Sequence, residues 1–155
     1  MGWTACAGGS ALVDPSRLRS LLSRLTERRR ELTAYAGLSI EEYLGDRRSV
    51  HASKYLLLTA IEDAMAVANH VIASEGYRAP SDYADAFRSL VEAGVLDRSL
   101  GERLEAMSRF RNLLVHIYAE VDDRRVHGFL QSDLVDLEAL VRALLTRFPE
   151  LGGKH

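Results

Sequence analysis

The chain has 155 residues and a formal net charge of −2, with 47% hydrophobic and 27% charged residues. That length suits one domain able to bury a core without a metal or disulfide. The near-neutral balance excludes a wholly basic nucleic-acid coat but leaves room for a local basic patch. Cys6 is the only cysteine, which excludes an intrachain disulfide and a thiolate metal cluster. The basic residues are 18 arginines against Lys54 and Lys154 alone. Arginine grips phosphate with a planar fork of donors, where lysine acts as a point charge.

Residues 1–10 have no basic start and no long apolar run, so they read as a poorly ordered leader and not as a signal peptide. A single helical domain is expected over 11–150, with a frayed tail at 151–155. No segment approaches 18 consecutive apolar residues, so no membrane span is expected and the location is taken as cytoplasmic.

In chain order, Asp14-Pro15 starts a first helix, with Asp14 as N-cap and Pro15 at the first helical position. Leu18, Leu21, Leu22, Leu25 and Leu32 form its apolar stripe. Arg28-Arg29-Arg30 interrupts the pattern and reads as a solvated turn, or as an RNA or partner contact. Gly37 breaks this helix, and Ser39 with Glu42 forms a capping box for the next stretch. That stretch runs to about Ser74, with Gly45 a point where a short first piece can split off. Gly76 ends it, and Pro80 lies in the following loop.

Ser81-Asp82 caps a short helix carrying Tyr83, Phe87, Leu90 and Val91, closed by Gly94. Asp97 or Ser99 begins the next, through Leu104, Met107 and Phe110. A polar turn is expected at Asp122-Asp123-Arg124-Arg125. Ser132-Asp133 then caps a last helix bearing Leu137, Leu140, Val141 and Leu144, stopped by Phe148-Pro149. The apolar period is near 3.6 almost throughout, so the expected fold is an all-α antiparallel bundle of four to five helices.

The chemistry concentrates in Arg111-Asn112-Leu113-Leu114-Val115-His116-Ile117-Tyr118. Arg111 is a fixed cation suited to phosphate oxygens. His116 carries an imidazole, the side chain best suited to serve as acid or base in catalysis. Asn112 can orient the imidazole or donate to a substrate. This kit suffices for RNA cleavage without a metal or other cofactor. Asn112 and His116 are four apart and share a helix face, but Arg111 and His116 are about 140° apart. They converge only if the helix bends or ends, if Arg111 wraps across, or if two copies meet. Taken singly, each residue has a plainer role: a helix-end histidine, a surface ion-pair arginine, a packed tyrosine ring.

The octet resembles the signature of the HepT-like toxins, members of the HEPN superfamily of all-α ribonucleases. Ala60-Ile61-Glu62-Asp63 with Ala68-Asn69-His70-Val71-Ile72 is similar to that family's second-helix pattern, and Tyr83 to Leu90 to its third. The resemblance covers about Asp14 to Phe148 and implies an HEPN-like helical fold. It implies a homodimer with the Arg–His motif in a cleft, acting as a metal-independent endoribonuclease on RNA, tRNA among the substrates. Arg111, Asn112 and His116 are then the catalytic set. An MntA-like nucleotidyltransferase antitoxin would attach AMP to Tyr118, and that charged adduct would block the cleft. Arg109 and Arg103 are candidates for an RNA track, and Asn69 and His70 for lining the cleft. The alternative is a catalytically inactive HEPN dimer that only docks a nucleotidyltransferase. A di-metal carboxylate bundle needs Glu-x-x-His pairs, and no histidine here has Glu three residues before it.

Overall fold

The computed structural model describes residues 14–117 and 120–152. Seven helices occur among them: α1 (Pro15–Ala36), α2 (Ile40–Gly45), α3 (Arg47–Glu75), α4 (Tyr83–Glu92), α5 (Arg98–His116), α6 (Asp123–Ser132) and α7 (Leu134–Arg147). A 3-10 turn over Pro149–Gly152 closes the described chain. The leader at 1–10, Tyr118 and residues 153–155 lie outside the described residues.

Local chemistry sets the helix ends. Asp14 accepts from the Arg17 N–H, Ser39 from Glu42, Asp82 from Asp85 and Asp97 from Leu100, each satisfying one orphan donor of a first turn. Gly45 does mark a split. The chain turns at Asp46, whose carboxylate caps α3 by accepting from the Arg48 N–H. Gly76 ends α3 at φ +70°, a left-handed conformation that glycine adopts without penalty.

Two expectations are revised. The polar turn at 122–125 is instead the cap and first turn of α6, with Asp122 accepting from the Arg124 N–H. Only Val126 and Leu130 of that ten-residue helix are buried, too short a stripe to announce itself in the sequence. At the start of α7, Asp133 occupies the cap position but its side chain makes no capping bond.

α1, α3, α5 and α7 form an antiparallel four-helix bundle. Arg24 and Arg28 of α1 meet Asp63 and Thr59 of α3 in reverse order, so those two run antiparallel. Arg19 and Arg29 meet Glu150 and Glu138 likewise, which sets α7 against α1. Arg103 of α5 reaches Asp136 of α7, while Leu100 lies near Ala143, so α5 opposes α7. α5 is therefore antiparallel to α3 as well.

The core joins Leu18, Leu25 and Leu32 of α1, Leu57 and Ile61 of α3, Phe87 and Leu90 of α4, Leu104 and Leu114 of α5, and Leu140 and Leu144 of α7. Full burial of such side chains stabilises by about 1.5–3 kcal/mol each. α4 packs closely on α5 because Gly101 has no side chain. A Cβ there would stand 2.3 Å from Val91 Cγ2. α3 contains an 18-residue window of mean hydropathy 1.4, long and apolar enough to cross a membrane by length and composition. Here 56% of that window is buried inside the bundle, which accounts for its apolar character.

Charged residues mostly pair between elements. Within the arginine triplet, Arg28 pairs with the buried Asp63, Arg29 with Glu138 and Arg30 with Glu27. Arg78 clamps Asp85 and Glu92, tying the loop before α4 to that helix. Hydrogen bonds from Arg78, then from Ser81, hold the Asp85 carboxyl well below the usual carboxylate range. A depressed carboxylate contributes stability above its unfolded pKa of about 3.9 and loses it as the pH falls. Asp85→Asn is therefore expected to melt below wild type at neutral pH. The gap should narrow as the pH falls from about 4 toward 2, checked by thermal unfolding across that range.

Candidate functional site

Arg111 to His116, the described helical part of the octet, form the last turn and a half of α5. The helix stays regular through His116, and Ile117 is its C-cap at φ −132°. Leu114 is fully buried and fixes the helix to the core. With that anchor set, the neighbouring side chains are distributed by the helical period.

Arg111 faces α3. Its Nη2 donates to Glu62 Oε1 at 2.8 Å and its Nη1 to Asn112 Oδ1 at 3.3 Å. The side chain is 21% exposed, so the cation is seated between two helices with part of its donor fork open to solvent. Glu62 and Asn112 use two of its five N–H donors. The Nε is buried without a partner.

Asn112 and His116 are exposed, one turn apart on the same face. No hydrogen bond holds the His116 ring among the described residues. Because α5 runs unbroken through His116, the helical period sets Arg111 and His116 of one chain about 140° apart around the axis. The structure thus brings Asn112 together with Arg111 by a hydrogen bond and with His116 by helical register. It does not bring Arg111 to His116.

Arg109 falls on the face of Asn112 and His116, being three and seven residues before them. It lies 3.7 Å from Glu105, which Arg88 also holds. Arg103 is directed elsewhere. It pairs with Asp136 of α7 at 2.9 Å and donates to Ser99. Asn69 donates to the Met65 carbonyl at 3.0 Å, and the His70 Nε2 is buried without a partner. Both are seven or eight residues from Glu62 along α3, about 10–12 Å by helical rise, so they do not adjoin Arg111.

The residue that sequence reasoning left unassigned is Glu62. Glu62 and Asp63 are adjacent and so point about 100° apart. Asp63 turns to α1 and takes Arg24 and Arg28, while Glu62 turns to α5 and takes Arg111. Two consecutive acids inside an apolar helix were the available signal.

Around these polar groups the surface is apolar. Seven large hydrophobic side chains are exposed among the described residues, and three of them, Leu113, Val115 and Ile117, belong to the octet. A fourth, Tyr55, is seven residues before Glu62, level with the end of the octet on the antiparallel neighbour. Clustering of this kind marks an interaction surface more often than scattered exposure does. Among the described residues no group of three His, Cys, Asp or Glu is placed to hold a metal ion.

The architecture is that of the HEPN toxins. It matches a Shewanella oneidensis HEPN toxin, solved tri-AMPylated in complex with MNT antitoxin, with TM-score 0.77 and 19% identity, covering 84% of this chain and 98% of that one. It also matches Bacillus subtilis YutE, a cytosolic protein of unknown function, with TM-score 0.76 and 20% identity over 94% and 98% of the two chains. In sequence, an Archaeoglobus fulgidus protein named "Putative RNase" is 35% identical over 94 residues. That stretch is 61% of this chain and 64% of the relative, so the match spans less than two thirds of its length. The family model described as Ribonuclease HepT-like matches residues 24–144, and the chain belongs to that family.

Proposed function

We propose that the protein is a metal-independent endoribonuclease, the toxin of a type VII toxin–antitoxin pair. The observation that carries this reading is Arg111, seated by Glu62 with donors left over, beside an exposed amide and imidazole at the end of the same helix. The reaction is attack of a 2′-hydroxyl on the adjacent phosphodiester. A base takes the 2′-hydroxyl proton, the P–O5′ bond breaks, and an acid returns a proton to the departing 5′-oxygen. Arg111 stabilises the charge on the phosphoryl oxygens, His116 moves the protons, and Asn112 orients the two. RNA is the substrate class, with tRNA one member, and Arg109 extends the cationic face along the strand. Arg103 would join that track only by releasing Asp136, and Asn69 and His70 would line its far end.

The working unit in this reading is a homodimer. The unbroken helix sets Arg111 and His116 of one chain on different faces, and Leu113, Val115 and Ile117 are exposed at the same helix end, with Tyr55 exposed on α3. Pairing two chains there covers the apolar patch and lets each cleft draw groups from both copies. The switch is an MntA-like nucleotidyltransferase that adds AMP to Tyr118, two residues beyond His116. The Shewanella toxin, solved tri-AMPylated in complex with MNT antitoxin, supports this assignment. Cytoplasmic action follows from an RNA substrate.

The test uses purified protein, free of antitoxin, with RNA and a chelator. Cleavage that persists in chelator supports the reading, and cleavage that requires added divalent metal counts against it. Coexpression with the nucleotidyltransferase should add whole AMP units to the intact mass, and Tyr118→Phe should abolish that gain.

A further inference from the structure

On the side of α5 away from His116, α5, α6 and α7 enclose a pocket of about 230 Å3. Its walls include Phe110, Phe129, Arg103, Arg125, Asp133 and Asp136. Phe110 and Phe129 stack with centroids 5.3 Å apart and planes inclined by 14°. Phe110 is buried, so the half-buried Phe129 is the ring that a ligand reaches. The Arg125 guanidinium lies 5.0 Å from the Phe110 centroid and pairs with no carboxylate among the described residues.

The two carboxylates differ. Asp136 is 4% exposed and is engaged by Arg103. Asp133 sits where a helix cap belongs but accepts no capping bond. Burial, then the neighbouring Asp136, pushes its carboxyl above the ordinary range. The half-buried Asp133 carboxylate lines the pocket and forms no side-chain hydrogen bond or ion pair among the described residues, so an occupant of the pocket can supply it with donors.

We propose that this pocket receives a guanine base. The volume falls below the roughly 300–1,000 Å3 of pockets for drug-sized ligands, which suits a single base with its sugar and phosphate outside. A flat aromatic wall accepts any base by stacking. The polar groups choose among them. Guanine alone presents two adjacent donors, N1–H and the 2-amino group, on its Watson–Crick edge, and Asp133 accepts both. Adenine and cytosine offer one amino group beside an acceptor nitrogen that the carboxylate repels. Arg125, at the rim, takes the phosphate. This deepens the ribonuclease reading, which supplies the RNA from which an unstacked base comes. The binding itself does not depend on cleavage.

The experiment titrates 5′-GMP, 5′-AMP, 5′-CMP and 5′-IMP calorimetrically into wild-type protein, Asp133→Asn and Phe129→Leu, with melting curves to confirm folding. GMP should bind at least about fivefold more tightly than AMP or CMP, the discrimination of one good bidentate contact. IMP, which keeps N1–H but lacks the 2-amino group, should fall between. Asp133→Asn should erase the preference, and Phe129→Leu should weaken every nucleotide together. Equal binding of GMP and AMP by wild type, or a preference untouched in Asp133→Asn, overturns the proposal. A parallel digestion of RNA separates the two readings. GMP binding as described without RNA cleavage removes the ribonuclease assignment and leaves the pocket, while cleavage without GMP preference removes the pocket alone.

Discussion

His116→Ala is expected to lower the rate of RNA cleavage by about 10²–10⁴-fold, the usual worth of a positioned acid or base. Arg111→Ala should fall in the same range, because a preorganised cation acting on developing charge contributes a similar factor. The two substitutions should also be non-additive, since each removes part of one concerted step. The measurement is a single-turnover rate on a defined RNA, with circular dichroism to confirm the helix content. His116 is exposed and Arg111 is only partly buried, so neither change should cost much stability. Cleavage at the wild-type rate by His116→Ala would remove the imidazole from the mechanism. A rate loss in Arg111→Ala that Arg111→Lys restores in full would mean that charge alone matters and the bidentate fork does not.

The second large effect concerns stability. Lys54 is only 3% exposed and its ammonium lies 2.6 Å from Asp123, the first residue of α6. Arg47 meets the other carboxylate oxygen at 2.8 Å. Burial alone would raise the Asp123 carboxyl. The hydrogen bonds from Lys54 and Arg47 outweigh it and hold the group below its ordinary range. Asp123→Ala removes the carboxylate from a buried ammonium, and breaking such a pair costs about 3–5 kcal/mol. Taking the lower figure because Asp123 keeps some exposure, the melting temperature should drop by about 6–12 °C for a chain of this size. The contribution is present above the unfolded pKa of about 3.9 and fades as the pH falls, so variant and wild type should converge in acid. A neutral-pH loss under about 1 kcal/mol would show that Lys54 finds other company.

The long helices were legible because each carries apolar side chains at helical spacing, and all but α7 have a capping side chain at the start. Asp14, Ser39, Asp82 and Asp97 all cap as their positions suggested. α6 was not legible, because two buried side chains in ten residues leave no period to read. The octet was visible as chemistry, and its splay around the helix followed from counting residues. What the one-dimensional pattern withheld was the partner of Arg111. Glu62 is 49 residues away, and only the antiparallel packing of α3 on α5 makes them neighbours. The same holds for Arg103, a candidate for the RNA track by its place on α5, which a carboxylate 33 residues later draws to α7.

The adjacency of Glu62 and Asp63 has an evolutionary consequence. One anchors the motif arginine and the other holds two helices together, so their failures differ in kind. A change at Asp63 strips a buried acceptor from two arginines and threatens the whole protein. A change at Glu62 releases only Arg111 and leaves the helices packed. If the ribonuclease reading is right, a cell escaping its own toxin has a one-step route through Glu62 to a folded, silent protein that keeps its docking surfaces. Silenced descendants should therefore accumulate substitutions at Glu62 or in the octet well before they lose Asp63.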